Sequence, residues 1–190
     1  GKLEVEHPDR FDDLRSELKE LYDGNITTEG LHAFGTASHM DIGIISGDIP
    51  MKNWQQSEWD LFDELGPVEY GEKILTGNST CYACGVACKR EAEVKEGVFK
   101  FTKGPGPEYE TIATFGTMCL NASLESIGKA NDICNRYGMD TISCGSTIAF
   151  AMECFENGLI NEKDTDGLSL TWGNSEAIVA MVEKIGKREG

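Results

Sequence analysis

The stretch STCYACGVACKR, residues 79–90, decides how this chain reads, for its fold as well as its chemistry. It puts Cys81, Cys84 and Cys88 into eight positions, one thiol short of the four that close a tetrahedral metal site. Thiolates select soft metals, and three in one loop can grip a shared face of an iron–sulfur cluster. The spacing leaves open where a fourth ligand stands.

Other readings of the same spacing fit less well. A zinc site calls for a fourth Cys or His, and the only histidines, His7, His32 and His39, lie far upstream. A ferredoxin-type run carries a trailing Cys-Pro, absent here. Radical enzymes that cleave S-adenosylmethionine use CxxxCxxC, the reverse order. Three incidental cysteines in a Gly/Ala loop are the plain alternative, and the compactness of the group speaks against it. An iron–sulfur cluster with three local thiolates and a fourth from elsewhere fits best.

Around the loop, 190 residues suit one domain with a substantial core, and 39% hydrophobic content excludes a disordered tail. No apolar run approaches the ~20 residues a membrane span needs, so the expected location is the cytoplasm. With 33 Asp and Glu against 17 Lys and Arg, the net charge of −16 repels phosphate backbones and excludes nucleic acid as a partner. Seven cysteines is an odd count, which disulfide scaffolds avoid. Cys119, Cys134, Cys144 and Cys154 sit in apolar, helix-like surroundings and are expected to fill the core.

Periodicity predicts a mainly α-helical domain with one small β-hairpin. HPDRFDDLRSELKELYDG reads as a helix with Pro8 in its first turn, an apolar stripe of Phe11, Leu14, Leu18 and Leu21, and Gly24 at its close. A short helix is expected after Thr28, and SEWDLFDELG predicts another, capped by Ser57. AEVKEGVFKF is the hairpin signal, near residues 92–102. Helices then follow over EYETIATFGTMCL, 123–137, 140–157 and 175–187, the last three packing into one core.

Three further segments complete the pattern: GPEYET at residues 106–111, NRYGMDTISCG at 135–145, and IAFAMECFENG after it. Taken with CYACGVACKR, this series resembles the tungsten-containing aldehyde ferredoxin oxidoreductase family, clearly from Thr76 to Gly158. Weaker echoes stand upstream in LHAFGTASHM and GDIPMKNW, and downstream in VEKIGKREG. Four motifs in order are specific where any one would be weak.

The resemblance implies that residues 1–190 are the helical middle domain, domain 2, of a larger enzyme. An N-terminal domain would hold a bis-pterin tungsten (or molybdenum) cofactor, and a C-terminal domain would supply the fourth ligand of a 4Fe-4S cluster. Cys81, Cys84 and Cys88 would be cluster ligands. Glu110 would exchange protons near the metal, with Glu108 as the competing acid; either could instead be a helix N-terminal acid complementing the dipole. Asp140 and the backbone at Met139 would hydrogen-bond a pterin. Asn135 stands where the family usually has Asp; Asn both donates and accepts, so a contact there would take an altered form. Asn135 and Asp140 also bracket a helix stop at Gly138 and cap the next helix.

Some family members hold an iron through an ExxH segment before this motif. Here the stretch is Lys129-Ala130-Asn131-Asp132, so no such iron is expected, and the ExxH of Glu29 to His32 reads as a chance pair. The implied activity is oxidation of aldehydes to carboxylic acids with ferredoxin as acceptor, the isolated domain being inactive. A family member with another substrate, such as an aromatic-ring reductase subunit, is the nearest alternative. A stand-alone iron–sulfur electron carrier would need neither GPEYET nor GMDTIS, and a helical interaction domain would need no cysteine loop.

Overall fold

The computed structural model describes residues 4–190. Most of its core comes from the second half of the chain, where local stop signals are strongest, joined by Met40, Met51, Leu65, Tyr70 and Ile74 from the first. Helix α6 (Leu124–Tyr137) starts where the Ser123 hydroxyl accepts the Ser126 amide at 3.1 Å, and ends at Gly138 in the left-handed conformation. Helix α7 (Thr141–Glu156) starts where the Asp140 carboxylate accepts the Ser143 amide at 2.7 Å. Asn174 caps α8 (Ser175–Lys187) in the same way. These bounds match the sequence expectation, because each cap is a contact within three or four residues.

Helix α6 buries Leu124, Ile127, Ala130, Ile133 and Cys134 and packs on α8, and α5 (Tyr109–Phe115) packs on α7. The α5–α7 crossing is close at Gly145, where a Cβ would stand 2.7 Å from the Thr114 side chain. Helix α5 is shorter than its motif predicts. It stops at Gly116, and residues Thr117–Cys119 continue as a 3-10 turn before Leu120 turns left-handed.

The sheet has three antiparallel strands rather than one hairpin: β1 (Leu75–Ser79), β2 (Lys89–Val94) and β3 (Phe101–Pro105), in that spatial order. The expected hairpin is β2–β3, with Val94 opposite Phe101. Strand β1, LTGNS, is polar and carries a glycine, so it has no apolar alternation to announce it; only its pairing with β2 makes it a strand. The cysteine stretch is therefore the connection between β1 and β2.

Two further expectations are corrected. SEWDLFDELG is not a helix capped by Ser57; it holds one 3-10 turn, Phe62–Leu65, that drives Phe62 and Leu65 into the core. Pro67 disfavours helical geometry at Gly66 and starts a separate helix, α4 (Pro67–Lys73), at its own first position. Upstream, α2 (Ile26–Phe34) begins at Asn25 rather than after Thr28, and α3 (His39–Ser46) follows unannounced, with Ile42 and Ile45 exposed. Helix α1 (Pro8–Asp23) forms as expected yet buries nothing: Phe11 is 45% and Leu14 48% exposed. No helix among the described residues is long and apolar enough to cross a membrane.

Candidate functional site

The loop between β1 and β2 carries Cys81 and Cys84 exposed and Cys88 half-buried, all three as free thiols. A turn closes where the Cys84 amide donates to the Cys81 carbonyl at 3.1 Å, and the Thr80 hydroxyl reaches both the Cys81 and Cys84 carbonyls. Ala83 and Ala87 adopt left-handed backbone, φ +56° and +53°, which costs a residue with a Cβ roughly 1–2 kcal/mol each. The nearby N–H groups of Val86 and Ala87, and then the Thr80 hydroxyl, hold the Cys84 thiol below its ordinary range. Strained backbone of this kind concentrates at functional sites.

Among the described residues no three His, Cys, Asp or Glu side chains converge closely enough to hold a single metal ion. A cluster makes a different demand, since each thiolate binds its own iron at a separate corner. Free, accessible thiols with backbone N–H groups directed at sulfur are the donor set that iron–sulfur clusters take. The loop fits a cluster better than it fits one ion.

Behind the loop stands the C-terminal turn of α2. His32 Nδ1 donates to the Val86 carbonyl at 2.7 Å. Arg90, on β2 and only 4% exposed, donates Nη2 to the carbonyls of Leu31 at 3.1 Å and His32 at 2.7 Å. Burial lowers its pKa, while charge on Tyr70, Cys88 and Glu108 pulls the other way. Its Nη1 and the Tyr70 hydroxyl are buried without a partner among the described residues. Gly35, at φ +64°, lies so close that a Cβ would stand 2.9 Å from the Cys88 carbonyl. The next residue, Thr36, donates to the Glu108 carboxylate and accepts the Tyr109 amide at 2.9 Å, capping α5 from another segment.

The two acids of GPEYET thus differ. Glu108 is half-buried and engaged by Thr36, while Glu110 stands exposed in the first turn of α5. Thr111 and Thr141 share a 2.8 Å hydrogen bond, which brings the starts of α5 and α7 together and sets Glu110 in the neighbourhood of Asp140. Asp140 is exposed, and its bonds to Ser143 and the Ile142 amide hold its carboxyl below the usual range. Met139 packs on the core, and exposed Asn135 gives its carbonyl to Gly138 at 3.4 Å. An open cleft of about 980 Å³ runs past Cys84, Gly85 and Val86, bounded by Leu18 and Tyr22 of α1 and by His32 of α2.

Sequence reading missed His32, Gly35, Thr36 and Arg90. The signal for the first three was the upstream echo LHAFGTASHM, and Arg90 is the last residue of CYACGVACKR itself. His32, read as a chance partner of Glu29, bonds Val86 instead. Of the other cysteines, Cys119, Cys134 and Cys144 are buried as expected, while Cys154 is only half-buried.

Comparison with known proteins places these segments. Residues 13–190 match the family model described as aldehyde ferredoxin oxidoreductase, domains 2 and 3. The tungsten-containing aldehyde ferredoxin oxidoreductase of Pyrococcus furiosus is 34% identical over 93% of this chain and 29% of its own length. The protein of that name from Pyrococcus abyssi is 33% identical over 100% of this chain and 31% of its own. The aliphatic sulfonate oxidoreductase, WOR-like subunit, of Pyrococcus furiosus is 27% identical over 93% of the chain. The chain therefore spans under a third of the length of the curated relatives it matches.

Proposed function

This chain belongs to the aldehyde ferredoxin oxidoreductase family, and from that premise we propose that it is the helical middle domain of a tungsten (or molybdenum) pterin enzyme that oxidises aldehydes. The observation that carries this reading is the β1–β2 loop, with three free thiols and backbone amides directed at Cys84. A bound metallopterin would supply two-electron redox chemistry, and a cluster held by the loop would supply one-electron transfer toward ferredoxin.

The chain's own residues have simpler work. Cys81, Cys84 and Cys88 hold three corners of a 4Fe-4S cluster, and the fourth ligand comes from another domain of the same enzyme. Oxidation of an aldehyde with water releases two protons for every two electrons, so a carboxylate beside the substrate is needed to accept one. Glu110, exposed and one residue from the α5–α7 contact, takes that role; Glu108 is already engaged by Thr36. Asp140, Met139 and Asn135 face the pterin at the turn between α6 and α7. The enzyme works in the cytoplasm, with the remaining domains, ferredoxin and a small aldehyde as partners, and without nucleic acid or membrane.

A second reading has a specific observation in its favour: the relative named for aliphatic sulfonates shares the same stretch, so the substrate could be other than an aldehyde. The lower identity of that relative, 27% against 34%, ranks it behind.

Metal analysis with EPR on anaerobically purified full-length protein tests the proposal. Tungsten or molybdenum with iron and sulfide is expected. Iron and sulfide alone would mean an electron-transfer module, and zinc or no metal would overturn both. The 190 residues by themselves should not reduce a viologen dye with aldehyde.

A further inference from the structure

The cysteine loop is held from outside itself. The segment Leu31 to Thr36 touches its C-terminal part twice: the Val86 carbonyl accepts from His32, and the Cys88 carbonyl packs on Gly35. Arg90, two residues past Cys88, ties the same turn to β2 through the Leu31 and His32 carbonyls. Thr36 then grips Glu108. One turn of chain touches the thiol loop and an acid of GPEYET together.

A planarity argument gives His32 a particular consequence. The Val86 carbonyl and the Ala87 amide belong to one trans peptide unit, so they point in opposite directions. When His32 draws the carbonyl outward at 2.7 Å, the Ala87 N–H is turned the opposite way, into the loop that carries Cys84. Ala87 itself is left-handed, φ +53°, so the peptide that His32 holds adjoins a strained residue. Without His32, the 86–87 peptide loses the bond from outside the loop that fixes its orientation.

We propose that His32 and Arg90 are positioning residues of the cysteine loop, His32 fixing the orientation of the 86–87 peptide and Arg90 anchoring the turn that carries His32. This rests on the reading of the loop as a cluster site. Hydrogen bonds to cluster sulfurs are among the factors that set reduction potential, so the effect extends beyond stability.

The test uses three variants of the full-length enzyme. His32→Ala removes the donor, and His32→Asn returns an amide N–H near the Nδ1 position. His39→Ala removes a histidine that bonds the same turn, at the Thr36 carbonyl, but not the loop. In iron-free protein, His32→Ala should speed hydrogen exchange across residues 81–88 by about tenfold, with wild-type rates in His32→Asn and His39→Ala. In the loaded enzyme, His32→Ala should change the cluster EPR signal and lower its reduction potential, and His32→Asn should restore both. Arg90→Lys, which keeps the charge but loses the fork, should loosen the same segment. Unchanged exchange in His32→Ala, or no rescue by His32→Asn, overturns the inference. A wild-type enzyme without a cluster overturns the proposed function instead, and the exchange comparison still decides what His32 does.

Discussion

The loop cysteines and the core cysteines are one side chain in opposite surroundings. Cys84 lies exposed, with backbone amides that favour its thiolate. Cys119 is completely buried, donates its thiol to the Thr114 carbonyl at 3.3 Å, and burial pushes its pKa up. Cys134 on α6 and Cys144 on α7 are buried too, and the neighbouring Cys144 together with burial pushes Cys134 up as well. The difference is backbone geometry. A thiol in a packed helix meets carbonyls and apolar atoms, and behaves as a small hydrophobe. A thiol in a loop with left-handed residues meets N–H groups, which suit a thiolate.

The most direct way to break this contrast is thiol labelling of iron-free protein. Cys81 and Cys84 should react with a soluble disulfide reagent in the native state, whereas Cys119, Cys134 and Cys144 must wait for unfolding. With stability in the usual range, that separates the rates by about a thousandfold or more. Equal rates would mean that the core cysteines are not packed as described.

Substitution in the full-length enzyme sharpens the same point. Cys84→Ser should strip or distort the cluster, seen as lost iron and a lost or altered EPR signal. Cys119→Ser should leave iron unchanged, since its hydroxyl can still donate to Thr114 and only packing suffers. Undiminished iron in both would remove the loop as the cluster site.

Damage to the core should stay in the core. Ile148, fully buried on α7, should cost about 2–5 kcal/mol as Ile148→Ala, measured by urea denaturation. Native labelling of Cys84 should hardly change. A matched rise in Cys84 and Cys144 labelling would show that loop and core open together.

The smallest effect concerns Asp140, at the edge between the two regions. Its folded pKa is depressed, so its contribution to stability is complete above the unfolded value of about 3.9 and is lost as pH falls through the folded value. Asp140→Asn keeps an N-cap acceptor but cannot titrate. The urea midpoints of wild type and variant should therefore draw together as the pH is lowered from 7 toward 3, and a constant gap would contradict the capping role.

Amino-acid order alone determined the parts of this protein that depend on near neighbours. The caps at Ser123, Asp140 and Asn174, the stop at Gly138, and the thiol spacing of Cys81, Cys84 and Cys88 all act within a few residues, so they are legible as text. Four motifs in order then pointed to the family. Only the tertiary structure decided that LTGNS is a strand, that SEWDLFDELG is not a helix, and that the stripe of α1 stays uncovered here. It also decided what stands behind the loop. His32 and Val86 are 54 positions apart, and Thr36 and Glu108 are 72. The first bond forms only after α2 meets the β1–β2 loop and the second only after the turn past α2 meets the start of α5, and hydrogen bonding between distant segments leaves no periodicity to read.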